Sequence, residues 1–231
     1  APAVEKAKEE IADMQAMMDK DIAAGLLPAG SKIEAWDWAY YTEKVRVAKY
    51  ALDEEQTKPY FKMENVRKGV FDLTTKLFGL QYEKLEGIPV YHEDVEGFKV
   101  TDADGSLIGV ILTDYFPRST KRGGAWMTNF VNQEIIDGEE TRPVIVNVGN
   151  FAKPVDGKPS LLTLDQVETL FHEYGHALHG LLSQCTYKSV AGTSVARDFV
   201  ELPSQIMENW AFQPEVLATY ARHYQTGEVI P

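Results

Sequence analysis

Five histidines occur in this sequence of 231 residues, and three of them, His172, His176 and His179, fall close together. In His172-Glu173-Tyr174-Gly175-His176 two imidazoles stand at i and i+4, neighbours on one helical face with Cβ atoms about 5–6 Å apart. A single zinc ion at roughly 2.0–2.1 Å from a nitrogen of each ring can be held by both. Glu173, turned by about 100° at 3.6 residues per turn, comes beside the metal, where its carboxylate can take a proton from water. Gly175 keeps a bulky side chain out of that region.

Such a centre needs a third protein ligand. The longer pattern that would supply another histidine fails, because residue 179 is His and residue 182 is Leu, so a carboxylate is preferred. Asp198, Glu201 and Glu208 are the candidates. In the stretch from Arg197 to Trp210, Leu202, Ile206 and Trp210 share one side, whereas Glu201, Ser204, Gln205 and Glu208 share another. Glu208, two turns after Glu201, suits a carboxylate that accepts the free N–H of a liganding His. His179 reads as a partly buried, hydrogen-bonded histidine rather than a ligand, and His92, His223 and Cys185 have no chemical context.

The helix that must carry the two histidines starts at Thr163, whose pairing with Gln166 fits a capping box. Leu164, Val167, Phe171, Tyr174, Leu178 and Leu181 form its apolar stripe, which leaves Asp165, Glu168, His172, His176 and His179 on the polar side. Upstream, Val4 to Ile22 has helical periodicity that Gly25 and Pro28 stop, and a second helical stretch runs from Trp36 to about Tyr60, with Trp38, Tyr41, Val45, Ala48 and Leu52 on one stripe. A third covers Asn65 to Phe78 and ends at Gly79. After Gly87-Ile88-Pro89 the pattern changes to short β-rich runs: Phe98 to Val100, Leu107 to Leu112, Ala125 to Val131 and Pro143 to Val148. Asp102-Ala103-Asp104-Gly105 lacks the remaining ligands of a calcium loop and reads as a hairpin turn. The fold class that follows is α+β, predominantly helical with a small β-sheet.

Composition narrows the function classes. Hydrophobic residues at 44% and charged residues at 25% describe an ordinary globular chain. A net charge of −12 repels phosphate backbones, so nucleic acid is not expected as a partner. No apolar run reaches the ~18 residues of a membrane span, and no membrane association is expected. The lone Cys185 cannot form an internal disulfide.

With the His172 to His176 run followed by Arg197 to Gln205 and by Glu208-Asn209-Trp210, the sequence resembles the thimet oligopeptidase family of zinc metallopeptidases, with a leaning toward its bacterial dipeptidyl carboxypeptidase branch. The likeness also covers Trp36 to Trp38, Lys44 to Glu54, Pro89 to His92, Gly123 to Met127 and Tyr220 to Gln225. It implies a zincin-like catalytic region with His172, His176 and Glu201 as ligands of Zn2+ and Glu173 as general base. It also implies that the strand from Gly123 to Met127 borders the cleft, with Gly124 and Ala125 touching an extended peptide paired to a sheet edge. Tyr174, where relatives often carry Phe, is expected to affect packing only.

The implied activity is hydrolysis of short peptides with release of C-terminal dipeptides. Endopeptidase action is the alternative within the family, and a non-catalytic metal-binding or interaction module the alternative outside it. Family members are longer, and a His- and Tyr-rich segment that helps bind substrate is expected beyond the counterpart of Pro231. Residues 1–231 are therefore expected to be one partial catalytic domain: 1–80 helical, 88–150 a small sheet and 163–231 the zinc-binding helices. The expected location is the cytoplasm, any targeting segment lying before Ala1.

Overall fold

The structure, a computed structural model, describes residues 2–50 and 54–231. Leu52 of the expected stripe lies outside the described residues. The chain divides into two compact units, Ala1–Gln56 and Thr57–Pro231.

In the first unit, helix α1 (Pro2–Ala23) is followed by a 3-10 turn (Ala35–Asp37) that leads into α2 (Trp38–Tyr50). The two helices pack around Met14, Met18 and Tyr41, all buried. Asp21 ties the pair together by accepting from Tyr41 Oη at 2.9 Å and from Lys44 Nζ. The helical stretch expected from Trp36 opens as the 3-10 turn and becomes α-helical at Trp38, and of the expected stripe Tyr41 is buried whereas Trp38 is exposed.

The second unit begins at the last residue of the short helix α3 (Glu54–Thr57) and continues into α4 (Met63–Phe78). Gly79 ends α4 in the left-handed region at φ 79°, a conformation that costs glycine little. A five-stranded mixed sheet follows, built from β1 (Gln81–Leu85), β2 (Glu96–Thr101), β3 (Leu107–Asp114), β4 (Trp126–Val131) and β7 (Val144–Val148). Its order is β1-β2-β3-β7-β4, antiparallel except for the β3–β7 pair. A separate two-stranded ribbon joins β5 (Glu134–Ile136) to β6 (Glu139–Thr141). Helices α5 (Leu164–Leu181), α6 (Leu202–Ala211) and α7 (Pro214–Tyr220) complete the unit. The architecture is α+β, with seven α-helices among the described residues, none long and apolar enough to cross a membrane.

Two features set the position of α5. Its capping box is present, with Thr163 Oγ1 accepting from the Gln166 amide at 3.2 Å and Gln166 Oε1 from the Thr163 amide at 3.0 Å. Its apolar stripe enters the core with Val167, Phe171 and Tyr174 fully buried. Phe71 of α4 stacks on Tyr82 of β1 at 4.1 Å between centroids, and Tyr174 donates from its hydroxyl to that of Tyr82 at 2.5 Å. On the sheet side Gly180 permits close approach, because a Cβ there would meet Ile145 Cδ1 at 2.6 Å and Met127 Cε at 2.7 Å. Helix α5 thus lies against the strands at the β7–β4 end of the sheet, where β4 is an edge.

Candidate metal centre

The i, i+4 spacing on α5 turns the rings of His172 and His176 to one side of the helix, with centroids 4.9 Å apart. The third donor arrives from α6. Glu201 is the residue at its N-terminal boundary, and its Oε2 lies 3.3 Å from His172 Nε2 and 3.1 Å from His176 Nε2. All three donor atoms lie within 4.8 Å of one another. Around a tetrahedral zinc with bonds near 2.05 Å, neighbouring ligand atoms sit about 3.3 Å apart. Two imidazole nitrogens and one carboxylate at these separations therefore fit such an ion.

The approach of α6 to α5 depends on Gly175. A Cβ at that position would stand 2.5 Å from Ser204 Cα and 2.6 Å from the Pro203 carbonyl oxygen. Ser204, fully buried, then orients the Glu201 carboxylate by donating to its Oε2 at 2.8 Å. That hydrogen bond is the main reason the Glu201 carboxyl is held below the usual carboxylate range, desolvation opposing it and the two histidines adding to it. Asp198, the remaining carboxylate candidate, is not part of the cluster. Glu208, two turns into α6, meets His172 Nδ1 at 2.5 Å through Oε1 and so fixes the ring from its far side. His176 Nδ1 is buried without a hydrogen-bond partner, and burial lowers the pKa of this imidazole despite the nearby Glu201.

Glu173 of α5 is buried, with Oε2 unpartnered. Burial pushes its carboxyl up to about 7, with the charge of His172 opposing and that of Glu201 reinforcing the rise. An acid in this state holds and releases a proton near neutrality. Two cavities, of about 320 and 360 Å³, are both lined by Ala125, His172 and Glu173. The first also reaches Trp126 and Met127 of the edge strand, together with His176 and Glu201. Gly124 is exposed, does not line either cavity, and takes φ 89° just before the strand.

His179 departs from the sequence expectation in one respect. It is partly buried, against the edge of Phe199, but its Nδ1 has no hydrogen-bond partner. Two polar residues near the site do more than the sequence reading assigns them. Ser204 is one: the sequence places it on the face of Glu201 but does not show its hydrogen bond to that carboxylate. The other is Asn147 of β7, fully buried, whose Nδ2 donates to the Glu173 carbonyl oxygen at 2.8 Å. Its signal in the sequence is a lone amide inside the apolar run Val144-Ile145-Val146-Asn147-Val148, since a polar side chain in a buried strand needs a partner.

Comparison with known proteins extends this picture along the chain. Dipeptidyl carboxypeptidase of Salmonella typhimurium is 48% identical over 231 residues, which is 100% of this chain and 33% of that protein. Its counterpart in Escherichia coli is 46% identical over 228 residues, 98% of this chain and 32% of that protein. Oligopeptidase A of Escherichia coli is 42% identical over 202 residues, 87% of this chain and 30% of that protein. The chain thus spans about a third of the length of these relatives. The family description Peptidase family M3 matches residues 1–231. A match that runs across both compact units, and not only through the two histidines, assigns the chain to a family of metallopeptidases: it belongs to peptidase family M3.

Proposed function

We propose that this chain carries the zinc centre of a metallopeptidase that hydrolyses bonds in short peptides, releasing dipeptides from their C-termini. The observation that carries the reading is the convergence of His172 Nε2, His176 Nε2 and Glu201 Oε2, with the unpartnered Glu173 carboxylate in the same cavity. Similarity to the two dipeptidyl carboxypeptidases supports the exopeptidase form, and similarity to oligopeptidase A favours endopeptidase action as the second reading. The two compact units are read as parts of one zincin-like catalytic domain, because the family match runs through both.

In this mechanism His172, His176 and Glu201 hold the ion, and Glu208 and Ser204 orient the ligands. Zinc, when bound, supplies Lewis acidity toward an incoming water and the scissile carbonyl. Glu173 takes the water proton on its carboxylate and returns it to the leaving amine nitrogen. Burial of Glu173 suits both roles, since its carboxyl at about 7 is balanced between accepting and donating. The open edge of β4 beside Ala125 suits an extended substrate that adds a strand, its backbone lying across the mouth of the cavity.

The test is hydrolysis by the full-length protein of a peptide pair that differs only in a free or an amidated C-terminus, before and after chelation and with zinc restored. Cleavage of the free peptide alone, lost with chelator and regained with zinc, is expected. Equal cleavage of both peptides would select the endopeptidase reading, and no zinc-dependent cleavage of either would leave a non-catalytic metal-binding module.

A further inference from the structure

Asn147 occupies a crossing point in the fold. It lies on β7, whose neighbours in the sheet are β3 and β4, and its register partner on β4 is Met127, which lines the cavity. Its side chain leaves the sheet and donates from Nδ2 to the backbone carbonyl of Glu173 at 2.8 Å. Helical geometry already assigns that carbonyl to the amide of Ala177, so Asn147 uses its second lone pair. The orientation of the amide is fixed from behind, where Tyr115 donates from its hydroxyl to Asn147 Oδ1 at 3.1 Å. Because Oδ1 can only accept and Nδ2 can only donate, this bond leaves Nδ2 facing Glu173. Both residues are buried, Asn147 completely.

We propose that Asn147 is a positioning residue, held by Tyr115, that locks the backbone of Glu173 to the strand carrying the register of β4 and so sets the distance between the proton-transferring carboxylate and a peptide on the sheet edge. The inference rests on the role given to Glu173 under Proposed function. Neither Asn147 nor Tyr115 belongs to the ligand cluster. Removing their hydrogen bonds should disturb proton transfer while leaving metal capture intact. Misplacement by about 1 Å in a catalytic group can lower a rate by about 100-fold.

The experiment uses the full-length protein and four variants, Asn147→Leu, Tyr115→Phe, the double variant, and Glu173→Gln as reference. The measurements are kcat and KM on one short peptide, zinc affinity by competition with a chelator, and hydrogen exchange at the Ala177 amide. Asn147→Leu is expected to lower kcat about 10- to 100-fold, with KM and zinc affinity changed less than about threefold, and to speed exchange at Ala177. Tyr115→Phe is expected to cause a smaller loss of the same kind and no further loss in the Asn147→Leu background. A folded, zinc-loaded Asn147→Leu with kcat within twofold of wild type would overturn the proposal, as would losses that simply add in the double variant. If Asn147→Leu fails to fold, Tyr115→Phe decides: unchanged kcat and exchange overturn the proposal, and a selective fall in kcat supports it. Hydrolysis that survives Glu173→Gln would overturn the underlying role of Glu173 and the inference with it.

Discussion

Gly175 of α5 and Ser204 of α6 meet backbone to backbone: a methyl group on Gly175 would lie 2.5 Å from Ser204 Cα. Through this contact the helix bearing two imidazoles and the helix bearing the carboxylate come near enough for Glu201 Oε2 to reach both Nε2 atoms at 3.1 and 3.3 Å.

Gly175→Ala should therefore force α6 outward, since the obstructing atoms are backbone and cannot rotate away. Overpacking of this kind costs about 1–3 kcal/mol. The expected outcome is a lower thermal unfolding temperature together with zinc affinity weakened at least about tenfold, as one ligand is drawn off. A variant that unfolds earlier but binds zinc as tightly as wild type would show that Gly175 serves packing alone.

Glu208 stands behind the proposed metal centre and is not one of its three proposed ligands. Its Oε1 lies 2.5 Å from His172 Nδ1, so the ring presents Nε2 to the cluster in a fixed orientation. Glu208→Ala should weaken zinc binding about 10- to 100-fold, read by competition with a chromogenic chelator. Unaltered affinity would mean that the ring is oriented by its helix only.

Some of this arrangement is legible in the sequence for simple physical reasons. Helical periodicity from Leu164 to Leu181 and the Thr163–Gln166 capping box are local patterns, and they suffice to place the histidines on one face. The runs at 98–100, 107–112, 125–131 and 143–148 each contain or overlap a strand, and 102–105 is the turn between β2 and β3. Strand β1 is missed because Gln81-Tyr82-Glu83-Lys84-Leu85 is an edge strand whose charged side chains face solvent, which erases the alternation that marks a half-buried strand. The choice of Glu201 over Asp198 and Glu208 comes, in the sequence, from the family resemblance; its physical reason is three-dimensional. It depends on the contact of Gly175 with Pro203 and Ser204, between residues distant in the chain, and no local pattern encodes it. The Asn147 tether is hidden for the same reason, since its partner is a backbone carbonyl on another element.

Asp114, at the end of β3, gives the fold an acid-sensitive point. Its side chain is 2% exposed, as is that of Lys121, and it accepts from Arg118, Lys121 and Tyr91. Burial raises its pKa, but those hydrogen bonds outweigh burial and hold the carboxyl below 3.8. A carboxyl whose pKa is lower in the folded chain than in the unfolded one adds stability above the unfolded value, which is lost as pH falls through the folded one. Wild type should therefore lose stability as pH falls below about 4, and Asp114→Asn should show a flatter dependence there. At neutral pH the same variant should be less stable by about 3–5 kcal/mol, because Lys121 is left buried without its counter-charge. Denaturant unfolding across pH 3 to 7 provides the check, and parallel curves for the two proteins would contradict it.

The proposed hydrolysis rests on a division of labour between Glu173 and the three proposed ligands around it. The most direct measurement is turnover and bound zinc on the same preparation of full-length Glu173→Gln. Removal of the proton carrier predicts a loss of kcat of about 10²- to 10⁴-fold, with metal content equal to wild type. Turnover that persists at the wild-type rate, or zinc that disappears together with turnover, would contradict it.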